Sequence, residues 1–471
     1  MTKIKGSSSS LSLDVTSPFD GALIQNIAKK TAEDAELMLQ IAHTAFKNRV
    51  TWLEPHERIA ILHKLADLVR NESEQFAMLI ASEGGKPLMD AKIEVARAID
   101  GIDLAAKELS SVMSGKEIPM GYTKPSVNRK AFTTYEPIGV VVAISAFNHP
   151  LNLIVHQVVP AIAVGCPVIV KPASSTPLNC IRFVELVHQA GLPLEWCQVC
   201  VCDSQVAEKL ATDKRIGFMS FIGSGNVGWA LKNKLAPGVR CALEHGGVAP
   251  VIIDNGINVD EIIAPLLKGA FYHAGQVCVS VQRIYAPSNI AKKIAKKLAA
   301  AAAKLIVGDA KAPDTEVGPL ISPREVTRVE AWVNDAIESG AKCLTGGKRL
   351  SDSLYAPTVL LNPTENAKVS MQEVFGPVVC VYAYDDRLEA IDRANQLDFA
   401  FQASVFTNNL DVAFDTVERL DASTVVVNDH TAFRVDWMPF GGRRHSGYGM
   451  GGIGYTMHDM LQSKMAVFKT N

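Results

Sequence analysis

Apolar residues recur at helical spacing early in the chain. Leu37, Met38, Ile41 and Ala45 follow Thr31 and Asp34, a pair spaced like a capping box, and predict a helix over residues 31–48. Pro55 then opens a second helical stretch, through Ile59, Leu62, Ala66 and Val69, toward the stop signal Gly84-Gly85. Between Gly115 and Pro137 the pattern turns irregular, with Pro119, Gly121 and Pro125, which predicts an extended hairpin protruding from a domain. From Pro137 the period changes. Short β-rich runs at 138–146, 167–170, 196–202 and 216–222 alternate with helical segments at 151–164, 176–189 and 226–235. That alternation predicts parallel strands with crossover helices, a doubly wound α/β unit that binds ligands beyond the carboxyl ends of its strands. Glu244-His245-Gly246-Gly247 interrupts it, and a second α/β series follows through 250–253, 279–286, 378–384 and 424–427. Residues 291–304 are Ala- and Lys-rich and predict a solvated amphipathic helix. No repeat of solenoid period is visible.

Composition narrows the function. The chain has 471 residues, 48% hydrophobic and 20% charged, which excludes disordered, collagen-like and coiled-coil classes and suits two or three domains. Forty-seven Lys plus Arg against 49 Asp plus Glu leave a net charge of −2, so no global basic field recruits nucleic acid or an anionic membrane. A small-molecule function is the default. No apolar stretch reaches the roughly 18 residues of a membrane span, and the Ser7–Ser10 run lies in a leading segment without the apolar core of a signal peptide. Nine cysteines, an odd number in a long chain, suit free thiols in a reducing compartment, and a cytoplasmic location is expected.

Gly223, Gly225 and Gly228 spell GxGxxG between a predicted strand and a predicted helix, which fits either a dinucleotide turn or an ordinary strand-to-helix turn. Glu244 is nearest the position for a ribose-binding acid, but it sits in a Gly-rich break and is not assigned to that role. Cys197, Cys200 and Cys202 have metal-like spacing, yet they fall in a predicted buried strand without a second pair, so packing is the better reading and no metal is expected. Cys166, Cys241, Cys343 and Cys380 also read as core residues. Cys278 differs. It follows Ala274-Gly275-Gln276-Val277, small and polar residues that let the backbone turn and a ligand approach a thiol. Asn148 and Glu244 are suitable types for its oxyanion donor and its base, although both are commonplace in turns and beside glycine.

Seven strings in order along the chain resemble the NAD(P)-dependent aldehyde dehydrogenase superfamily: PIGVVVAISAFNHPLN (137–152), VIVKPASSTP (168–177), FIGSGNVG (221–228), LEHGGVAP (243–250), GQVCVS (275–280), EVFGPV (373–378) and MPFGGRRHSGYG (438–449). The resemblance implies an α/β fold with a Rossmann-like dinucleotide-binding domain (1–115 and 138–246), an α/β catalytic domain (247–430), and an oligomerisation arm with the C-terminal segment (116–137 and 431–471). It implies a homodimer or homotetramer. Cys278 is the implied nucleophile, Asn148 the oxyanion donor and Glu244 the base that activates water. Lys171, Ser174, Gly223, Ser224, Glu373 and Phe375 are the implied contacts to NAD or NADP, with the middle glycine, Gly225, incidental.

Departures from the family pattern bear on specificity. Ser174 stands where many members carry Glu, removing a carboxylate that would repel a 2′-phosphate and so admitting NADP. His149 and His245 replace an aromatic and a Leu, and read either as a polar substrate pocket or as residues that hydrogen-bond their loops. Arg97 and Arg434 could grip an anionic tail or form structural salt bridges. The FNHPLN and FRVDWMP text is similar to the lactaldehyde, phosphonoacetaldehyde and glyceraldehyde-phosphate branches, so the expected substrate is a small polar aldehyde, anionic if the arginines serve it. A coenzyme A-dependent acylating enzyme, disfavoured by Glu244, and a non-catalytic protein of the same fold are the alternatives.

Overall fold

The computed structural model describes residues 11–469; the Ser7–Ser10 run and the first ten positions of the dinucleotide-binding segment lie outside them. Thr31 and Asp34 do form a reciprocal capping box, and α1 spans Ala32–Lys47. The next helical stretch is two helices, α2 (Pro55–Asn71) and α3 (Ser73–Gly84), because Glu72 leaves helical geometry at φ −105° and ψ 16°. Gly85, left-handed at φ 66°, ends α3, and α4 runs over Leu88–Val112. The leading region is less purely helical than its pattern suggests. A hairpin of β1 (Ser12–Thr16) and β2 (Leu23–Ala28) precedes α1, and its signal is weak because only Val15 and Ile27 of those strands are buried.

Three further sheets organise the chain. The first is a six-stranded sheet built on β5 (Val140–Ile144), β6 (Val168–Lys171), β7 (Cys197–Val199), β8 (Ile216–Ile222) and β9 (Arg240–Glu244), mutually parallel, with β19 (Gly447–Tyr448) antiparallel at its edge. Its order, β19-β9-β8-β5-β6-β7, places β5 between β6 and β8. Strand order reverses there, which opens a crevice at the carboxyl ends. The crossover helices are α5 (Asn152–Val164), α6 (Leu178–Ala190), α7 (Ser204–Ala211) and α8 (Gly225–Lys232). One face of the sheet packs on α2, α4, α5 and α6 through residues such as Leu62, Ile102, Val155 and Phe183, the other on α1 and α7 through Leu39 and Leu210.

The second is a seven-stranded sheet of order β12-β13-β14-β11-β10-β16-β17. It comprises β10 (Ala249–Ile253), β11 (Val281–Pro287), β12 (Lys342–Thr345), β13 (Thr358–Leu361), β14 (Val378–Tyr384), β16 (Gln402–Phe406) and β17 (Thr424–Val427), with only β12 antiparallel. Helices α9 (Val259–Phe271), α10 (Ser288–Ala302) and α11 (Pro323–Glu338) cover it, and α10 buries Ile294 and Leu298 while Lys292, Lys293 and Lys296 face solvent. A short β15 (Phe399–Ala400) pairs with β18 (Arg443–Arg444). In the third sheet β3 (Glu117–Ile118), β4 (Arg129–Pro137) and β20 (Leu461–Lys469) are antiparallel, so the irregular 115–137 segment is indeed extended and is joined by the C-terminal strand.

None of the four crossover helices of the first sheet has a local side-chain cap, and for α5 and α6 the replacement comes from a distance. Leu151 and Pro177 precede α5 and α6 without a side-chain hydrogen bond, and buried carboxylates from the helical layer replace it. Glu94 accepts from the Leu151 and Asn152 amides at 3.0 and 3.1 Å, and Glu83 from those of Leu178 and Asn179 at 2.8 and 2.9 Å. Both tie the helical layer to the segments that frame the crevice.

Candidate active site

A cleft of about 1080 Å³ opens at the carboxyl ends of β5, β6, β8 and β9, and every site residue read from the sequence lines it: Cys278, Glu244, Asn148, Lys171, Ser174, Gly223, Ser224, Glu373, Phe375, Arg97, His149 and Arg434. Glu244 needs one correction: it is the last residue of β9, paired in register with Ile222 of β8, so it sits at a true strand end.

Cys278 lies in the turn between a 3-10 segment (Tyr272–Gly275) and β11. The approach is strained, since His273 and Ala274 have φ of 48° and 53°. Gly275 must be glycine, because its φ is 71° and a Cβ would sit 2.1 Å from the Gly376 carbonyl oxygen. Gln276 clamps this turn, donating to the Pro319 carbonyl at 3.2 Å and accepting from the Ile321 amide at 2.9 Å. Its own carbonyl accepts from Asn148 Nδ2 at 3.0 Å. An amide nitrogen carries two hydrogens, so this bond aims the Asn148 side chain at the Cys278 turn and leaves its second N–H for a ligand.

The charges around the thiol are arranged by burial. Burial, then the nearby Glu373 and Glu244 carboxylates, push the Cys278 thiol up to about 12. Burial raises Glu244 to about 6, against an opposing pull from Arg434, and raises Glu373 to about 8. Each carboxyl rests on a glycine: a Cβ at Gly451 would lie 2.0 Å from Glu244 Oε1, and one at Gly246 would lie 1.7 Å from Glu373 Oε1.

Several groups on the other side of the cleft are short of partners. Glu373 Oε1 is buried without a hydrogen bond. Lys171, at the end of β6, is pulled below the usual lysine range by burial. His245 donates from Nδ1 to the Gly223 carbonyl at 3.0 Å, which leaves Nε2 as an acceptor, buried and unpaired. Gly228 gives that ring its room, as a Cβ there would meet His245 Cε1 at 2.0 Å, so of the three glycines it is the one the turn demands. Gly225 faces only the far end of the His445 ring. Phe375 adopts φ 46° and meets Phe147 edge-on at 5.8 Å. An acceptor carboxyl, a lysine, a glycine turn opening α8 and an aromatic ring along one crevice suit the ribose, phosphate and nicotinamide parts of NAD(P).

The tail side holds both arginines. Arg97 grips Asp436 with two bonds, Nε to Oδ2 at 3.1 Å and Nη2 to Oδ1 at 2.8 Å, so it forms a salt bridge while also lining the cleft. Arg434 has no carboxylate within salt-bridge distance among the described residues. Its guanidinium lies 3.6 Å above the Phe440 ring, and its Nε is buried without a partner. His149 packs beside Tyr272, with Nε2 3.5 Å from the hydroxyl, and burial and Lys86 hold it well below the usual histidine range. Sequence reasoning missed Gln276, His156 and Asp436. Asp436 stood in the FRVDWMP string two positions after Arg434, but its partner Arg97 is 339 residues away and no local signal links them.

This chain belongs to the aldehyde dehydrogenase family, whose profile matches residues 4–466. It is an NAD(P)-dependent aldehyde dehydrogenase, with the α/β fold that the seven strings implied. It is 37% identical to a 3-sulfolactaldehyde dehydrogenase of Priestia aryabhattai over 94% of this chain and 91% of that protein. Among solved structures it resembles aldehyde dehydrogenase 21 from Physcomitrella patens in complex with the reaction product succinate, with TM-score 0.94, 34% identity, and coverage of 98% and 96% of the two chains. It also resembles glyceraldehyde-3-phosphate dehydrogenase from Methanocaldococcus jannaschii complexed with NADP, with TM-score 0.93, 32% identity, and coverage of 98% and 100%.

Proposed function

We propose that this enzyme oxidises a small aldehyde with an anionic tail to its carboxylic acid through a thioester on Cys278. The observation that carries the reading is the convergence of Cys278, Asn148 and Glu244 on one cleft that Arg434 also lines, its Nε buried without a partner. Cys278, once ionised, forms a C–S bond to the carbonyl carbon, and the Asn148 N–H and the Cys278 backbone N–H receive the oxyanion. When bound, NAD(P) supplies the acceptor for the hydride that leaves this carbon, and Glu373, Lys171, Ser174, Gly223, Ser224 and Phe375 are the residues that hold it. Collapse of the oxyanion leaves a thioester. Glu244 takes a proton from water, the water oxygen attacks the acyl carbon, and the C–S bond breaks to return the thiolate and release the acid.

The anionic tail belongs at Arg434 and Arg97, a choice supported by the names of relatives that act on sulfonated or phosphorylated aldehydes or hold succinate. Residues 1–115 and 138–246 form the cofactor-binding part, 247–430 the catalytic part, and 116–137 with 431–471 the arm and C-terminal segment. Exposed Phe132 and Phe468 on the arm, and Leu410 and Phe414 on the Leu410–Arg419 helix, support a homodimer or homotetramer. Nine free thiols fit a cytoplasmic setting. Among the described residues no helix is long and apolar enough to cross a membrane.

The test is NAD(P)H formation at 340 nm with sulfonated, carboxylated, phosphorylated and neutral aldehydes. Cys278→Ala is expected to abolish it, and an active Cys278→Ala protein would refute the thioester route.

A further inference from the structure

Four side chains from three distant stretches of chain form one continuous row on the tail side of the cleft. Arg97 on α4 holds Asp436 through both carboxylate oxygens. The same Asp436 Oδ1 accepts from His156 Nε2 at 2.7 Å and from Asn152 Nδ2 at 3.2 Å, both on α5. His156 turns its other nitrogen, Nδ1, to Arg434 Nη2 at 3.3 Å. An ionised carboxylate only accepts and a guanidinium only donates, so the order of partners dictates the imidazole: hydrogen on Nε2, lone pair on Nδ1, no net charge. Burial and the neighbouring Arg434 keep it that way by holding His156 down at about 4.

The row therefore contains two positive charges and one negative. The other cations at this end are already matched, Lys86 by Glu94 and Lys268 by Asp90. What remains is a single uncompensated positive charge, and it emerges at Arg434, the member whose Nε is buried without a partner. Glu244, on the thiol side of Arg434, adds negative charge when ionised and makes a second charge on a bound tail harder to accommodate.

Resting on the anionic-tail reading above, we propose that this row measures charge. Asp436 cancels one of the two arginines, so that the tail subsite takes a monoanion, a carboxylate or sulfonate, in preference to a dianion such as a phosphonate or phosphate. Asp436 and His156 are the positioning residues that set this preference. They fix the distance between the guanidiniums and the direction in which Arg434 offers its free N–H.

The experiment is a matched series of three-carbon aldehydes bearing carboxamide, carboxylate, sulfonate or phosphonate at the far end, assayed with the wild-type enzyme at a pH where the phosphonate is doubly ionised. KM for the two monoanions should lie roughly tenfold or more below KM for both the carboxamide and the phosphonate, tenfold being about 1.4 kcal/mol of binding. Asp436→Asn should lower KM for phosphonate by more than it lowers KM for carboxylate, which narrows or reverses the monoanion preference, whereas a merely structural loss raises both. His156→Gln, whose amide can donate to Asp436 and accept from Arg434, should keep the monoanion preference, and His156→Leu should lose it through KM. If Asp436→Asn does not fold, the wild-type series and the His156 pair decide. A wild-type enzyme that prefers carboxylate to carboxamide but phosphonate to carboxylate overturns this inference alone. Equal KM for carboxamide and carboxylate overturns both it and the anionic-tail reading.

Discussion

Burial raises Glu244 from 4.5 to about 6, which leaves a carboxylate basic enough to draw a proton from water and still ionised at neutral pH. The deacylation limb of kcat should therefore rise with pH through about 6 and level off above it, and mass spectrometry of Glu244→Gln after one turnover should find the acyl group retained on Cys278. The same shift has a sign for stability. A group whose folded pKa is raised contributes its stability below the unfolded value and loses it as pH rises through the folded value. Glu244→Gln should thus be more stable than the wild type at pH 8, by roughly 1–2 kcal/mol, and close to it at pH 4, as read from urea midpoints. The identities of Cys278, Asn148 and Glu244 were legible in the strings around them. The charge states of Cys278 and Glu244 were not, because each depends on burial and on carboxylates or guanidiniums brought in from elsewhere in the chain.

Among the elements, α5 illustrates how much of the site is held from outside. All of its residues are buried, from Asn152 to Val164, and its apolar run makes it predictable as a helix. Its start is another matter, since no Ser, Thr, Asp or Asn cap is visible before Asn152 and the capping carboxylate arrives from Glu94 on α4. Glu94 also neutralises the fully buried Lys86. Glu94→Ala should cost about 3–5 kcal/mol, because it strands a buried cation and frees two helix-start amides. The check is a denaturant titration, and a loss below 1 kcal/mol would show that water replaces the carboxylate. The split between α2 and α3 was invisible for a related reason. The apolar spacing continues across Glu72, whereas the backbone there does not.

At the scale of the whole molecule the proposed assembly rests on the arm. β4 and β20 pair over their full lengths, from Arg129 with Lys469 to Pro137 with Leu461, in a sheet of three strands that leaves Phe132 43% and Phe468 53% exposed. A ribbon this narrow with aromatic residues on show has too little core to account for its own order, and a second copy of the chain would cover it. Light scattering should report a dimer or tetramer, and a chain truncated after Asp459, which removes β20, should run as a monomer or fail to accumulate. A monomeric full-length chain at micromolar concentration would count against the assembly.

Sequence by itself determined the α/β class, the positions of many strands along the chain and the family, and it nominated Cys278, Asn148 and Glu244 as the candidate trio, because those depend on local periodicity and on short strings in which each residue carries its own chemistry. Tertiary structure alone decided which charges are matched. Whether Arg97 is free or bound to Asp436, why Arg434 is left with an unpaired donor, and why the Glu244 carboxyl is raised to about 6 depend on neighbours and burial supplied from elsewhere in the chain. Electrostatic interaction depends on distance through space and on the loss of water, and neither is written in the spacing of residues along the chain.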